Sequence, residues 1–197
     1  MKRLLVSAWV CLLVFGLTTF VSGQEKVQSS EYYPLKVGTT WTYKVMGQTI
    51  SIKVAKHEKY NGVMCAVLET SAGGKVVATE HISVAKDGIY RHSMAGNKAD
   101  PAVRFIKLPI KKGESWKIES KIGGQDLKVS YTAGEDEITV PAGKYKTITT
   151  QTNEFEAGGQ KITAKIWYAK GVGMVKTVME LAGNTVTLEL DKFEAGK

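Results

Sequence analysis

Alternation of apolar and polar residues with a period of two runs through most of this chain and constrains its fold more than any other feature. Trp41, Tyr43 and Val45 fall on one face, with Thr42 and Lys44 on the other. Ile50, Ile52 and Val54 alternate with Ser51 and Lys53, and Trp116, Ile118 and Ile122 with Lys117, Glu119 and Lys121. The same phase holds for Leu127, Val129 and Tyr131, for Ile162, Ala164 and Ile166, and for Val186, Leu188 and Leu190. Successive side chains of a strand point to opposite sides, so the pattern specifies strands with one dry and one wet face. Parallel strands covered on both sides would be apolar throughout; these read as antiparallel.

Turn chemistry separates the runs. Asn61-Gly62, Gly73-Gly74, Asp87-Gly88, Gly123-Gly124, Gly158-Gly159 and Gly183-Asn184 offer the positive φ that short hairpins need. No window of eleven residues carries a clean helical pattern. The small, polar stretch from Ser93 to Asp100, followed by Pro101, reads as a loop or at most one helical turn. The predicted fold is all-β: an antiparallel meander of about ten or more strands in a curved sheet, a partial barrel or a sandwich.

Two similar halves are expected. Pro34-Leu35-Lys36-Val37-Gly38-Thr39-Thr40-Trp41 aligns with Pro109-Ile110-Lys111-Lys112-Gly113-Glu114-Ser115-Trp116. Farther on, Ala85-Lys86-Asp87-Gly88-Ile89 resembles Ala169-Lys170-Gly171-Val172-Gly173. The halves would run over about 32–105 and 106–193 and share one core, because two copies are too few for an open solenoid.

Residues 1–23 have the layout of a secretory signal peptide. Lys2 and Arg3 precede an uncharged, mostly apolar run from Leu4 to Phe20, and Val21-Ser22-Gly23 places small residues at a cleavage point before Gln24. A retained anchor is the alternative, at the short limit for a membrane span. Cleavage leaves one domain, 24–197, with no later transmembrane stretch and an expected location in the periplasm or outside the cell. The formal charge of +8 on 197 residues falls to +6 on 174, and two cysteines become one, Cys65, in an apolar run. A lone exported cysteine forms no internal disulfide, and Cys65 reads as a small buried hydrophobe.

The chemistry of catalytic sites is sparse in the sequence. His57, His81 and His92 lack metal-ligand spacing, and His57 reads as a surface residue at a strand end. Glu135-Asp136-Glu137 reads as a solvated turn, without the glycine-centred loop of a calcium site. There is no nucleophile elbow or phosphate-binding loop, and no metal, cofactor or catalytic residue is assigned. Nearly all mature cations are lysines spread along wet strand faces; Arg91 and Arg104 are the two arginines, a poor set for reading nucleic acid.

The aromatic residues supply the remaining signal. Trp41, Tyr43, Trp116, Trp167 and Tyr168 are core anchors first, and they are also the candidates for lining a pocket for an apolar ligand. The run from Tyr32 to Tyr43, with Val140-Pro141-Ala142-Gly143-Lys144-Tyr145 and Tyr168-Ala169-Lys170-Gly171-Val172-Gly173-Met174-Val175-Lys176, resembles a broad group of exported bacterial proteins of unknown function. These share a Tyr-x-Pro-Leu-x-x-Gly-x-x-Trp-x-Tyr start and Val-Pro-Ala-Gly and Gly-Val-Gly-x-Val-Lys motifs. More distantly, the arrangement is similar to the curved half-barrels of periplasmic lipoprotein carriers, an analogy of fold that implies no function. The leading expectation is a non-enzymatic exported module for an apolar or amphiphilic ligand or an envelope partner. A structural protein using sheet edges and a carboxylate-dependent hydrolase are the alternatives.

Overall fold

The computed structural model describes residues 27–157 and 159–197; the expected signal peptide lies outside them. The described chain is all-β. Its strands are β1 (Thr40–Val45), β2 (Gln48–Tyr60), β3 (Val63–Ala72), β4 (Lys75–Ala85), β5 (Gly88–Met94), β6 (Asn97–Lys107), β7 (Ser115–Ile122), β8 (Gln125–Val140), β9 (Gly143–Thr152), β10 (Phe155–Ala157), β11 (Gln160–Ala169), β12 (Gly173–Leu181) and β13 (Asn184–Glu194).

The sheet order is β10-β11-β12-β13-β1-β2-β3-β4-β5-β6-β7-β8-β9, and every named pairing is antiparallel. A further ladder joins β9 to β11, with Lys165–Ala169 opposite Gln151–Thr147. Twelve strands thus close into a barrel, and β10 continues the line of β9 beside the first residues of β11. Closure removes the unpaired edges that an open sheet would expose.

One seam is thin. β6 and β7 exchange only Ala99↔Ile122 and Asp100↔Lys121. Side chains take over from there: Trp116 Nε1 donates to Arg104 O at 2.9 Å and Ser120 Oγ to Pro101 O at 2.7 Å. These bonds satisfy carbonyls that the ladder leaves without partners.

The two Pro-to-Trp segments make the same turn. Gly38 and Gly113 have φ of 88° and 82°. Gly38 N donates to Val54 O and Gly113 N to Ala133 O, both at 2.8 Å; Thr39 N reaches Lys36 O and Glu114 N reaches Lys111 O, both at 3.0 Å. Each turn delivers its tryptophan to the first inward position of a strand.

Other turns depart from the sequence reading. The β4–β5 turn is Lys86-Asp87, with Ala85 opposite Gly88, so Gly88 is a strand residue. Glycine is required there for space: a Cβ would lie 2.5 Å from Arg104 Cδ and 2.6 Å from Ile106 O. The stretch from Ser93 to Asp100 is a hairpin, not a loop, because Ala95 at φ 48° and Gly96 at φ 79° return the chain directly into β6. Glu135-Asp136-Glu137 lies inside β8 rather than in a turn.

Candidate functional site

Side chains that face the barrel interior change character from one end to the other. At the end carrying the β2–β3, β4–β5 and β11–β12 turns, inward positions are buried: Trp41, Tyr43, Val54, Leu68, Ile82, Phe105, Tyr131, Tyr168, Val175 and Leu190. The segment leading into β1 seals this end. Ser30 and Tyr33 pair through their backbones, Gly171 N donates to Glu31 O at 2.6 Å, and Lys170 meets the Glu31 carboxylate at 2.8 Å. Tyr33 is thereby held inside the barrel, with its ring centroid 6.1 Å from Trp41, 5.6 Å from Phe105 and 6.2 Å from Tyr168. Burial pushes its phenol far above the ordinary tyrosine range.

Gly173 completes the seal. Its φ is +94°, and a Cβ would meet Pro34 Cδ at 3.2 Å and Trp41 Nε1 at 3.3 Å. Trp41 Nε1 donates to Val172 O at 2.6 Å, and the Tyr43 hydroxyl to Met174 O at 2.9 Å. Gly173→Ala is expected to destabilise the fold by about 1–3 kcal/mol through backbone strain, read as a lower urea midpoint at unchanged slope.

Toward the opposite end the same inward rows become half-exposed. On β1 and β2 these are Val45, Ile50 and Ile52; on β11, Ile162, Ala164 and Ile166; on β12 and β13, Met179, Leu181, Val186 and Leu188. The cross-strand register puts them on one interior face: Trp41↔Ile52, Tyr43↔Leu190, Ala164↔Met179 and Met179↔Val186. The hairpin tips around this mouth add exposed apolar residues, Met46 (84%), Val76 (54%), Val77 (62%) and Met94 (44%). A notch of about 360 Å³ between Met94, Asn97, Ile122 and Leu127 marks one side of it. The interior is therefore tightly packed at one end and looser and largely aliphatic toward the other.

Between the two ends sits an ion pair. Arg91 projects inward from β5 and Glu80 from β4, with Arg91 Nε 3.0 Å from Glu80 Oε2. The guanidinium lies over the Phe105 ring at 4.9 Å, and its charge acts on the phenols of Tyr33, Tyr131 and Tyr168. These two side chains retain 24% and 21% exposure, although Phe105 and Tyr168 beside them retain 3% and 1%. That exposure requires free space beside the pair inside the barrel.

No protein-family model matches the chain, and no relative is found among curated proteins. Two solved structures match it. A candidate lipoprotein from Parabacteroides distasonis ATCC 8503 is 13% identical, with a TM-score of 0.49 over 85% of this chain and 100% of its own. A candidate exported protein with a YmcC-like fold from Bacteroides fragilis NCTC 9343 is also 13% identical, with a TM-score of 0.46 over 83% of this chain and 98% of its own.

The sequence candidates occupy different places. Trp41, Tyr43 and Tyr168 gather with Tyr33 at the sealed end. Trp116 stacks on its cross-strand neighbour Tyr131, with centroids 5.4 Å apart. Trp167 follows the opposite phase to Tyr168 and lies on the outer face. There its Nε1 donates to Asp136 Oδ2 at 3.0 Å, and Lys165 Nζ sits 4.7 Å from its ring. Those contacts hold the Asp136 carboxyl below its ordinary pKa, the Trp167 hydrogen bond first among them. A depressed carboxylate stabilises the fold above its unfolded pKa and loses that contribution as pH falls through the folded value. Trp167 fluorescence is accordingly expected to change in acid, below about pH 4, and Asp136→Asn to remove that transition.

The histidines take structural positions. His57 is half-buried rather than exposed, and its Nε2 lies 2.6 Å from Leu35 O, because the segment sealing the barrel covers it. On the outer face of β2–β5, Glu58 Oε1, the His81 ring and Ser93 Oγ form a chain of 2.9 and 2.7 Å, with Tyr60 stacked on His81 at 4.0 Å. Ser93 is 1% exposed, which keeps its hydroxyl from any substrate. His81→Ala strands that hydroxyl and is expected to cost about 1–3 kcal/mol in denaturant unfolding. Cys65 is fully buried on the same face, and burial pushes its thiol up to about 11.

Arg91, Glu80 and Tyr33 were not singled out as a site by sequence reasoning. One signal existed for the pair: a charged residue at each of two inward phases, Glu80 two before Ile82 and Arg91 two after Ile89.

Proposed function

We propose that the protein is an exported binding module that holds an apolar or amphiphilic small molecule in the open half of its barrel. The observation that carries this reading is the gradient along the interior, buried at one end and half-exposed and aliphatic at the other. Ligand sites of barrels lie in such mouths, and apolar walls with a few polar groups fix both affinity and orientation. The outer face supports a water-facing location for the barrel wall, since Lys44, Lys53, Lys117, Lys121, Lys128 and Lys161 are exposed on it. A lipid-facing barrel would carry an apolar outer band there. Among the described residues, no helix is long and apolar enough to cross a membrane. The alternative of assembly through sheet edges has less to use, because among the described residues ring closure pairs most strands on both sides, the thin β6–β7 seam and the short β10 being the exceptions.

The test is titration with the neutral dye N-phenyl-1-naphthylamine. A saturable one-site rise in emission, reversed by hexadecanol, supports the reading. Emission that rises linearly with protein, without saturation or displacement, overturns it.

A further inference from the structure

The inner end of the open chamber carries a cation with an unused face. Arg91 engages Glu80 through Nε. No hydrogen bond within the described residues engages its two terminal nitrogens, and neither is a sealed, unpartnered atom. A guanidinium offers two edges for an oxyanion, and the Nε contact to Glu80 leaves the end-on edge of Nη1 and Nη2 open. Phe105 covers one flat face, and the end-on edge is where a guanidinium donates hydrogen bonds to an oxyanion. Tyr33 and Tyr131 stand beside the guanidinium and are within reach of its field. Ile52, Ile166 and Leu188 lie on inward rows toward the mouth.

We propose that the chamber is specific for a single-chain amphiphile with an oxyanion head group, a carboxylate or a phosphate monoester. The head binds the end-on edge of Arg91, and the acyl chain runs along Ile52, Ile166 and Leu188 toward the mouth. Glu80 shares the guanidinium and faces the same space, so it opposes the incoming anion while fixing the orientation of Arg91. This inference rests on the reading of the open end as a binding chamber.

The experiment displaces bound N-phenyl-1-naphthylamine with palmitate, hexadecyl phosphate and hexadecanol, three ligands of one chain length. A hydrogen bond to a charged partner predicts that at least one anion displaces the dye about tenfold or more better than hexadecanol. Arg91→Gln should abolish that preference, so that the anions displace the dye no better than hexadecanol does. Glu80→Gln should increase it, because the competing carboxylate is gone while the guanidinium remains. Which anion wins distinguishes a fatty acid head from a phosphorylated one. Equal displacement by all three ligands overturns the head-group assignment while leaving the chamber intact. Absence of dye binding removes both. If Arg91→Gln does not fold, Glu80→Gln decides: a stronger preference for the anion supports the proposal, and an unchanged or weaker one overturns it.

Discussion

Trp41→Ala is expected to lower the free energy of unfolding by about 3–5 kcal/mol, the range for deleting a buried aromatic ring. The ring is 3% exposed and packs against Tyr33 and Phe193, and its Nε1 holds Val172 O. Its removal therefore empties the core and also releases the β11–β12 turn that seals the barrel end. Domains of this kind are stable by about 5–15 kcal/mol, so the variant should be marginal at room temperature. Trp41→Phe separates the two contributions. It keeps most of the ring and loses the hydrogen bond, at an expected cost of about 1–3 kcal/mol for a buried carbonyl left without its donor. Urea unfolding followed by circular dichroism measures both. A cost for Trp41→Ala below that of Trp41→Phe would remove Trp41 from its place in the seal.

Ala164→Trp should have the opposite profile: nearly no loss of stability and a large loss of binding. Ala164 faces the interior and is only partly buried, between Ile162 and Ile166 and opposite Met179. In a packed core, adding an indole would cost about 1–3 kcal/mol or more in strain. In an open chamber the ring enters solvent-filled space and buries apolar surface. We expect unfolding free energy within about 1 kcal/mol of the parent, and dye affinity reduced at least tenfold, equivalent to about 1.4 kcal/mol. Strong destabilisation would mean that the interior at this level is filled by protein.

Strand phase was legible because it is local. Each inward row, such as Trp41, Tyr43, Val45 or Ile162, Ala164, Ile166, was set by alternation alone, and the antiparallel register followed from short turns. Closure was not legible. It depends on β9 meeting β11 while β10 takes over the first part of the same strand, a long-range choice with no local mark. Turn positions failed where glycine served packing rather than φ, as at Gly88. Trp167 read as a core anchor, and it is buried, on the outer face of the sheet. Its neighbour Tyr168 has the inward phase, and contacts from Asp136 and Lys165 bury Trp167 on the outside instead. The Glu80–Arg91 pair was obscured because two charges in inward phases resemble breaks in the pattern until the strands are paired. We propose, from the matched turns at Gly38 and Gly113, that the barrel consists of two related six-strand halves, each opened by its own tryptophan.

If half of the barrel interior is an open apolar chamber ending at Arg91, a bound acyl chain will be visible in it. The most direct measurement is a crystal structure of the protein grown with palmitate. Continuous chain density is expected between Ile52, Ile166 and Leu188, with the carboxylate against the terminal nitrogens of Arg91. An interior filled by side chains, with palmitate absent or confined to the outer groove beside Met64 and His57, would contradict it.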